Sequence, residues 1–222
     1  MLKNRFWLAS NSPRRRDMLE WTGWDFSSIP ANVDETRMQN EPVRDYVLRL
    51  AETKCEVKMG EAVPGNFILA ADTVVILDGQ ILGKPINADH AKSMLKSLCG
   101  RRHQVISGIA VRRTENREVL VDVCQSCVQM RDYSDDEIDA YVLSGDAMDK
   151  AGSYAIQNPE FNPVADFAGC FASVMGLPLC HLERMLMQFG DYQFTNLAGK
   201  CQRNLDYHCP IHQQVMAGMD VG

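Results

Sequence analysis

Two apolar rhythms alternate along the chain. Phe67-Ile-Leu-Ala-Ala-Asp-Thr-Val-Val-Ile-Leu77 is an almost unbroken apolar run rich in β-branched residues, the pattern of a strand covered on both faces. The runs at residues 5–9, 104–113 and 119–130 read as further strands. Between them, apolar residues recur at helical spacing: Val43, Val47 and Leu50; Ala91, Met94, Leu95 and Leu98; Ile138, Tyr141 and Val142; Leu182, Met185 and Leu186. The punctuation agrees with this division. Ser12 before Pro13 starts a helix that ends near Thr22-Gly23, and Pro42 opens a second. Asp78-Gly79 turns the long strand into a return strand at residues 80–82. Asn87 caps a third helix, which Gly100 ends, and Ser134 with Glu137 forms a capping box. Pro178 opens the last clear helix. Residues 146–163 read as loop with short extended pieces, and a strand is expected within residues 167–175. Strands alternating with helices predict an α/β fold.

Composition narrows the class. The 222 residues suit one large domain or two small lobes. No apolar run approaches the ~18 residues of a membrane span. The short Phe6-Trp7-Leu8-Ala9 stretch is followed by Asn11 and three arginines, unlike a signal segment, so a cytoplasmic protein is expected. A net charge of −6 argues against a partner that is a nucleic-acid polymer. Yet residues 1–16 hold Lys3, Arg5, Arg14, Arg15 and Arg16 and no acid, a local patch suited to a small anion. The eight cysteines are expected as free thiols. Cys124 and Cys127 lie in a strand-like run rather than the turn a redox or zinc pair needs.

Candidate chemistry starts at Asp72, an acid inside the apolar run. Strands are depleted in Asp, and a buried carboxylate is costly unless paired or metal-bound. Backbone pairing or a nearby lysine would satisfy it; presentation to a site is the sharper reading. In Ser10-Asn-Ser-Pro-Arg-Arg-Arg16, cations stand at the start of a helix, where the dipole disfavours them. A bound phosphate chain gives them a reason, and a solvated basic turn is the plainer one. Lys54 continues the Val43, Val47, Leu50 stripe and must snorkel out or meet an anion. Lys84, held between Gly83 and Pro85, is a phosphate contact or an ordinary turn lysine. Glu35, with Asp34 as competitor, could join Asp72 in giving oxygen ligands to Mg²⁺. Gln157, in Lys150-Ala-Gly-Ser-Tyr-Ala-Ile-Gln157, carries an amide able to read a nucleobase edge. Cations, two carboxylates and an amide together fit metal-assisted chemistry on a nucleoside polyphosphate.

Six motifs in order extend this reading: Leu8-Ala-Ser-Asn-Ser-Pro-Arg-Arg15, Val33-Asp-Glu-Thr36, Ala70-Ala-Asp-Thr-Val-Val75, Leu82-Gly-Lys-Pro85, Asp149-Lys-Ala-Gly-Ser-Tyr-Ala-Ile-Gln157 and Val174-Met-Gly-Leu-Pro178. Over roughly residues 3–190 the chain resembles the Maf family of nucleoside triphosphate pyrophosphatases. The resemblance implies a fold similar to inosine triphosphate pyrophosphatases, with a mixed elongated sheet, flanking helices and a cleft between two lobes. It implies hydrolysis of a nucleoside triphosphate to the monophosphate and pyrophosphate, with a divalent cation (Mg²⁺ or Mn²⁺) as cofactor and often a homodimer. By position, Asp72 matches the proton acceptor and Glu35 a metal or water-positioning acid beside it. Ser10, Arg14, Arg15, Lys54 and Lys84 match phosphate-side positions. Arg14, Thr73 and Gln157 match the positions linked to base selection, in a combination similar to the branch acting on dTTP and UTP. The chain departs from the family pattern at Asn158-Pro159, where a glycine is usual after Gln157, and over residues 161–171.

Two other readings compete. One is a non-catalytic nucleotide-binding regulator, for instance of cell division or septum formation; the complete set of acids and lysines argues against it. The other is an enzyme of the same fold acting on non-standard or methylated purine nucleotides, which Arg14 and Gln157 disfavour through the resemblance. The division expected is a nucleotide pyrophosphatase domain at residues 1–194 and a polar tail at residues 195–222. In that tail Cys201, His208, Cys209 and His212 number enough soft ligands for zinc, although His208 and Cys209 are adjacent. A partner-binding or poorly ordered tail is the favoured reading.

Overall fold

The computed structural model describes residues 5–62, 66–190, 194–219 and 221. Lys3 of the basic stretch and Asp191, near which the chain turns polar, lie outside them. Strands β1 (Phe6–Leu8), β2 (Phe26–Ser28), β3 (Phe67–Leu77), β4 (Gln80–Leu82), β5 (Arg102–Arg113), β6 (Val119–Met130) and β7 (Val164–Phe167) form one mixed sheet in the order β2-β1-β3-β5-β6-β7, with β4 on β3. Helices α1 (Pro13–Glu20), α2 (Val43–Glu56), α3 (Ala88–Leu98), α4 (Asp135–Leu143), α5 (Phe171–Met175), α6 (Leu179–Gln188), α7 (Leu197–Leu205) and α8 (His212–Met216) accompany it. No helix among the described residues is long and apolar enough to cross a membrane.

The long strand β3 organises the site. Antiparallel β5 pairs with it continuously from Phe67 to Ile76 along one edge. The other edge is shared: parallel β1 takes Phe67 to Leu69, and β4 takes Val75 to Leu77. Residues 70–74, with Asp72 and Thr73 among them, therefore have no strand partner on that edge among the described residues. There the chain leaving β1 turns away into α1. A gap where strands part company, at the carboxyl end of a parallel strand, is where α/β sheets receive ligands.

Alternation along β3 sends its side chains to two cores. Ile68, Ala70, Val74 and Ile76 pack beneath α2, with Asp72 on the same face. Leu69, Ala71, Val75 and Leu77 enter the larger core with α1, α3 and α6, and Thr73 points that way. Gly108 on β5 is the register partner of Asp72. A Cβ at Gly108 would lie 2.7 Å from the backbone carbon and oxygen of Val47. This absent side chain lets α2 rest on the sheet, which keeps Lys54 within reach of Asp72. Gly108→Ala should destabilise the protein by roughly 1–3 kcal/mol, because a backbone cannot rotate aside. It should also lower activity, since α2 would have to retreat with Lys54. Denaturant titration and kcat/KM on one preparation check both, and an unperturbed variant would show that the approach is not needed.

Most sequence-based expectations match the elements observed. Ser12 accepts from Arg15 N–H with Pro13 leading α1, and Asn87 and Ser134 cap α3 and α4. Cys124 and Cys127 lie on β6, one buried and one exposed. The strand expected within residues 167–175 is a correction. The strand β7 lies earlier, on the edge of β6, and Phe171–Met175 is a short helix closed by Gly176 in the left-handed region at φ 108°. A short apolar run does not declare its period, and this one sits too deep in the core to alternate.

The described part of the tail is largely helical rather than poorly ordered. Asn196 caps α7 by accepting from Gly199 N–H, and α7 and α8 both pack against α6. Glu183, fully buried on α6, accepts from the backbone N–H groups of Thr195 and Leu197 at 2.7 Å each. Lys200 reaches back to the Thr22 carbonyl at 2.6 Å. Cys201 and Cys209 are buried, while the His208 and His212 rings stand 6.1 Å apart. Among the described residues no three His, Cys, Asp or Glu side chains converge where they could hold a metal ion.

Candidate active site

A cleft of about 690 Å³ opens over the unpaired stretch of β3. Ser10, Arg14, Arg15, Glu35, Lys54, Asp72, Thr73, Lys84 and Gln157 all line it. Asp34 does not; it is exposed, and its carboxylate accepts from the Thr36 N–H at 2.9 Å. Lys150 borders the cleft but its ammonium is committed to the carboxylates of Asp146 at 2.7 Å and Asp149 at 2.6 Å.

The floor is an ion triad. Lys54 Nζ lies 2.7 Å from Asp72 Oδ1 and 2.7 Å from Glu35 Oε1. Lys54 is 7% exposed and Asp72 8%, whereas Glu35 stands at the rim. The anion that Lys54 was expected to meet is thus supplied twice by the protein itself. Burial pushes the Asp72 carboxyl above its ordinary range, against the pull of Lys54 and Arg15. Burial also raises Glu35, but the hydrogen bond and charge of Lys54, with Lys84 and Arg15 behind them, outweigh it and hold this carboxyl below the usual range. One shared cation pulls both acids down, and their unequal burial leaves them biased in opposite directions. The rim is pinned from α2: Tyr46 donates to the Glu35 carbonyl at 2.7 Å, and Arg49 donates to the Thr36 carbonyl at 3.2 Å.

Arg15 spans the cleft as a fork. Its Nε donates to the Gly176 carbonyl at 2.8 Å, Nη1 to Ser10 Oγ at 3.3 Å and Nη2 to Thr73 Oγ1 at 3.1 Å. Burial lowers this guanidinium to about 10, and the Asp72 charge opposes the change. Two of its five N–H groups remain for a ligand. Ser10 Oγ accepts from Arg15 and from the Ser12 N–H at 3.1 Å, so its own proton is free to donate. Arg14 Nε is buried with no partner among the described residues. Lys84 is exposed at the mouth. At the other end, Asn158 ties the segment bearing Gln157 to Asp146 at 3.1 Å and accepts from the Phe161 N–H at 2.8 Å. The residue that replaces the usual glycine thus holds this lip in place.

One group behind the cleft wall leaves no sign in the sequence. Tyr154 lines the wall with its hydroxyl 2.7 Å from His103 Nε2. His103 lies in β5, far from any motif, and its Nδ1 is buried without a partner among the described residues. Burial lowers His103 from 6.5 to about 4. The unfolded chain therefore binds an extra proton between those values, and stability should fall as the pH drops through that window. The loss should reach roughly 3 kcal/mol, and His103→Gln should flatten the slope there. Denaturation midpoints of both proteins across the window provide the check; parallel curves would remove His103 as the cause.

Fold and site together define a protein that handles an anionic ligand at a split sheet edge, with paired acids opposite a row of cations. The chain belongs to the Maf family: the Maf-like protein family matches residues 5–189. A dTTP/UTP pyrophosphatase of Dictyoglomus thermophilum is 42% identical over 191 residues, covering 85% of this chain and 98% of that protein. One from Anaeromyxobacter dehalogenans is 44% identical over 188 residues, covering 84% and 94%. Among solved structures, the Staphylococcus aureus Ham1 protein overlaps 57% of this chain and 72% of its own at 15% identity and a TM-score of 0.42.

Proposed function

We propose that the chain hydrolyses a nucleoside triphosphate to the monophosphate and pyrophosphate, with dTTP and UTP preferred. The observation that carries this reading is Lys54 joining a buried Asp72 to a rim Glu35, with Arg14 and Arg15 of α1 and Lys84 after β4 lining the same cleft. The names borne by the relatives in the family support the base preference, as does the presence of Arg14, Thr73 and Gln157 in one cleft.

The reaction breaks the α–β anhydride and adds water across it. Asp72 Oδ1 is committed to Lys54, which leaves Oδ2 to take the proton of the attacking water. The raised carboxyl of Asp72 makes it a better proton acceptor than an exposed Asp. The Ser10 hydroxyl, Arg14, the spare N–H groups of Arg15, and Lys84 stabilise charge on the phosphates. Lys54 keeps both acids ionised and pointed at one place. The residues also fit a divalent cation: Glu35 Oε2 and Asp72 Oδ2 accept no hydrogen bond among the described residues, and hard oxygens suit Mg²⁺ or Mn²⁺. Glu35 would carry most of the protein's share of its ligation, with Asp72 secondary. When bound, the cation supplies neutralisation of the triphosphate.

A product assay tests the reading. Purified protein is offered dTTP, UTP, CTP, 7-methyl-GTP and ITP with Mg²⁺ or Mn²⁺, and products are separated by chromatography. Monophosphate plus pyrophosphate from dTTP or UTP is the expected result. The same products from purines alone would keep the chemistry and overturn the base preference. Binding without turnover of any nucleotide would favour the regulator.

A further inference from the structure

A relay of polar groups runs inward from the cleft wall behind Thr73. Arg15 Nη2 lies 3.1 Å from Thr73 Oγ1, Thr73 Oγ1 lies 2.7 Å from Ser107 Oγ, and Ser107 Oγ lies 2.7 Å from the Ser173 carbonyl. Each hydroxyl owns one proton, a guanidinium only donates and a carbonyl only accepts. Two oxygens at such a distance need a proton between them, so Ser107 gives its proton to Ser173. Ser107 then has only lone pairs to offer Thr73, and Thr73 must donate to it. Thr73 accepts from Arg15, donates to Ser107, and is left with one lone pair. Ser107 is fully buried, so water cannot reverse the order.

The wall around Thr73 is the apolar end of the cleft, lined by Val75, Val105, Ile156, Val174 and Met175, on the sheet face opposite the Asp72 triad. Such a wall suits a flat base, as the charged end suits phosphates. Gln157 cannot choose between bases alone. Among the described residues nothing holds its amide, which can turn oxygen or NH₂ toward the ligand. Thr73 cannot turn.

We infer that Ser107 is a positioning residue that locks Thr73 as a hydrogen-bond acceptor, so that the site selects bases bearing a ring N–H beside a carbonyl. Uracil and thymine present N3–H between two carbonyls. Cytosine presents a bare N3, whose lone pair would face the lone pair of Thr73. Gln157 adapts to the exocyclic group at position 4 of either base, and the fixed polarity of Thr73 makes the distinction. The inference rests on the nucleotide reading proposed above.

The experiment compares kcat/KM for UTP and CTP in the wild type, Ser107→Ala and Thr73→Ser. In Ser107→Ala the Ser173 carbonyl keeps the Gly176 N–H at 2.9 Å, so no buried carbonyl is stranded. The freed Thr73 proton can then serve cytosine N3. The UTP preference should shrink on the order of tenfold, mainly through a gain with CTP, with the melting temperature kept. Thr73→Ser, which retains the relay, should keep the preference. An equal loss with both substrates, or an unchanged ratio, would mark Ser107 as merely structural and overturn the inference while leaving pyrophosphatase activity standing. A wild type inactive on UTP and dTTP would overturn both. If Ser107→Ala does not fold, Ser107→Cys, a weak donor of similar shape, is judged by the same ratio.

Discussion

Asp72→Asn should hydrolyse substrate about 10³- to 10⁴-fold more slowly than the wild type, yet melt at nearly the same temperature. The amide keeps the shape of the carboxylate, and its oxygen can still accept from Lys54 in place of Oδ1. It cannot take a proton from water, nor bring negative charge to a cation. Nucleotide binding should survive or tighten, because one negative charge near the phosphates is gone. Turnover of purified variant under single-turnover conditions, with binding read by calorimetry, separates the two effects. Turnover close to that of the wild type would remove Asp72 from the mechanism.

Lys54→Met should lose both activity and stability. Activity should fall by about 10²- to 10³-fold, as when one preorganised charge partner leaves a site. Removing the ammonium leaves Asp72 buried and unpaired, a change that costs about 3 kcal/mol at neutral pH. Glu35 contributes little to that figure, since from the rim it can turn to water. The sign with pH follows from Asp72, whose folded carboxyl is already raised by burial. Without Lys54 it rises further, so the destabilisation is present above the folded value and fades as acid protonates the group. The double variant Lys54→Met with Asp72→Asn should recover most of the stability and none of the activity. Denaturation at neutral and acid pH tests this, and a single variant as stable as the wild type at both would refute the pairing.

Lys54 and Asp72 were legible for the same reason: each is a charge where the apolar period calls for a hydrophobe. Glu35 and Lys84 were legible only as members of a set, since acidic loops and turn lysines are common. What lay beyond the sequence is what depends on cross-strand register. Ser107 and His103 are ordinary residues in a strand until β5 is laid against β3, and Tyr46 needs the fold to meet the loop at Glu35. The missed strand β2 reads Phe26-Ser-Ser, too short and too polar to show alternation, and parallel β1 alone holds it. The order in the tail was hidden because its anchor is a buried acid on α6, outside the tail itself.

The Arg15 fork has a consequence for fidelity. One rigid plane is fastened at Gly176, at Ser10 and at Thr73, which the proposed reading places on the phosphate side and the base side of the cleft. On that reading, a mismatched base that pushed Thr73 aside would tilt that plane, and the far prong would carry Ser10 out of line with the scissile bond. Misplacement of about 1 Å is enough to slow a reaction on the order of 10²-fold. A wrong nucleotide would then be rejected in the chemical step as well as at the door, and the enzyme would tolerate its presence in the cleft without consuming it.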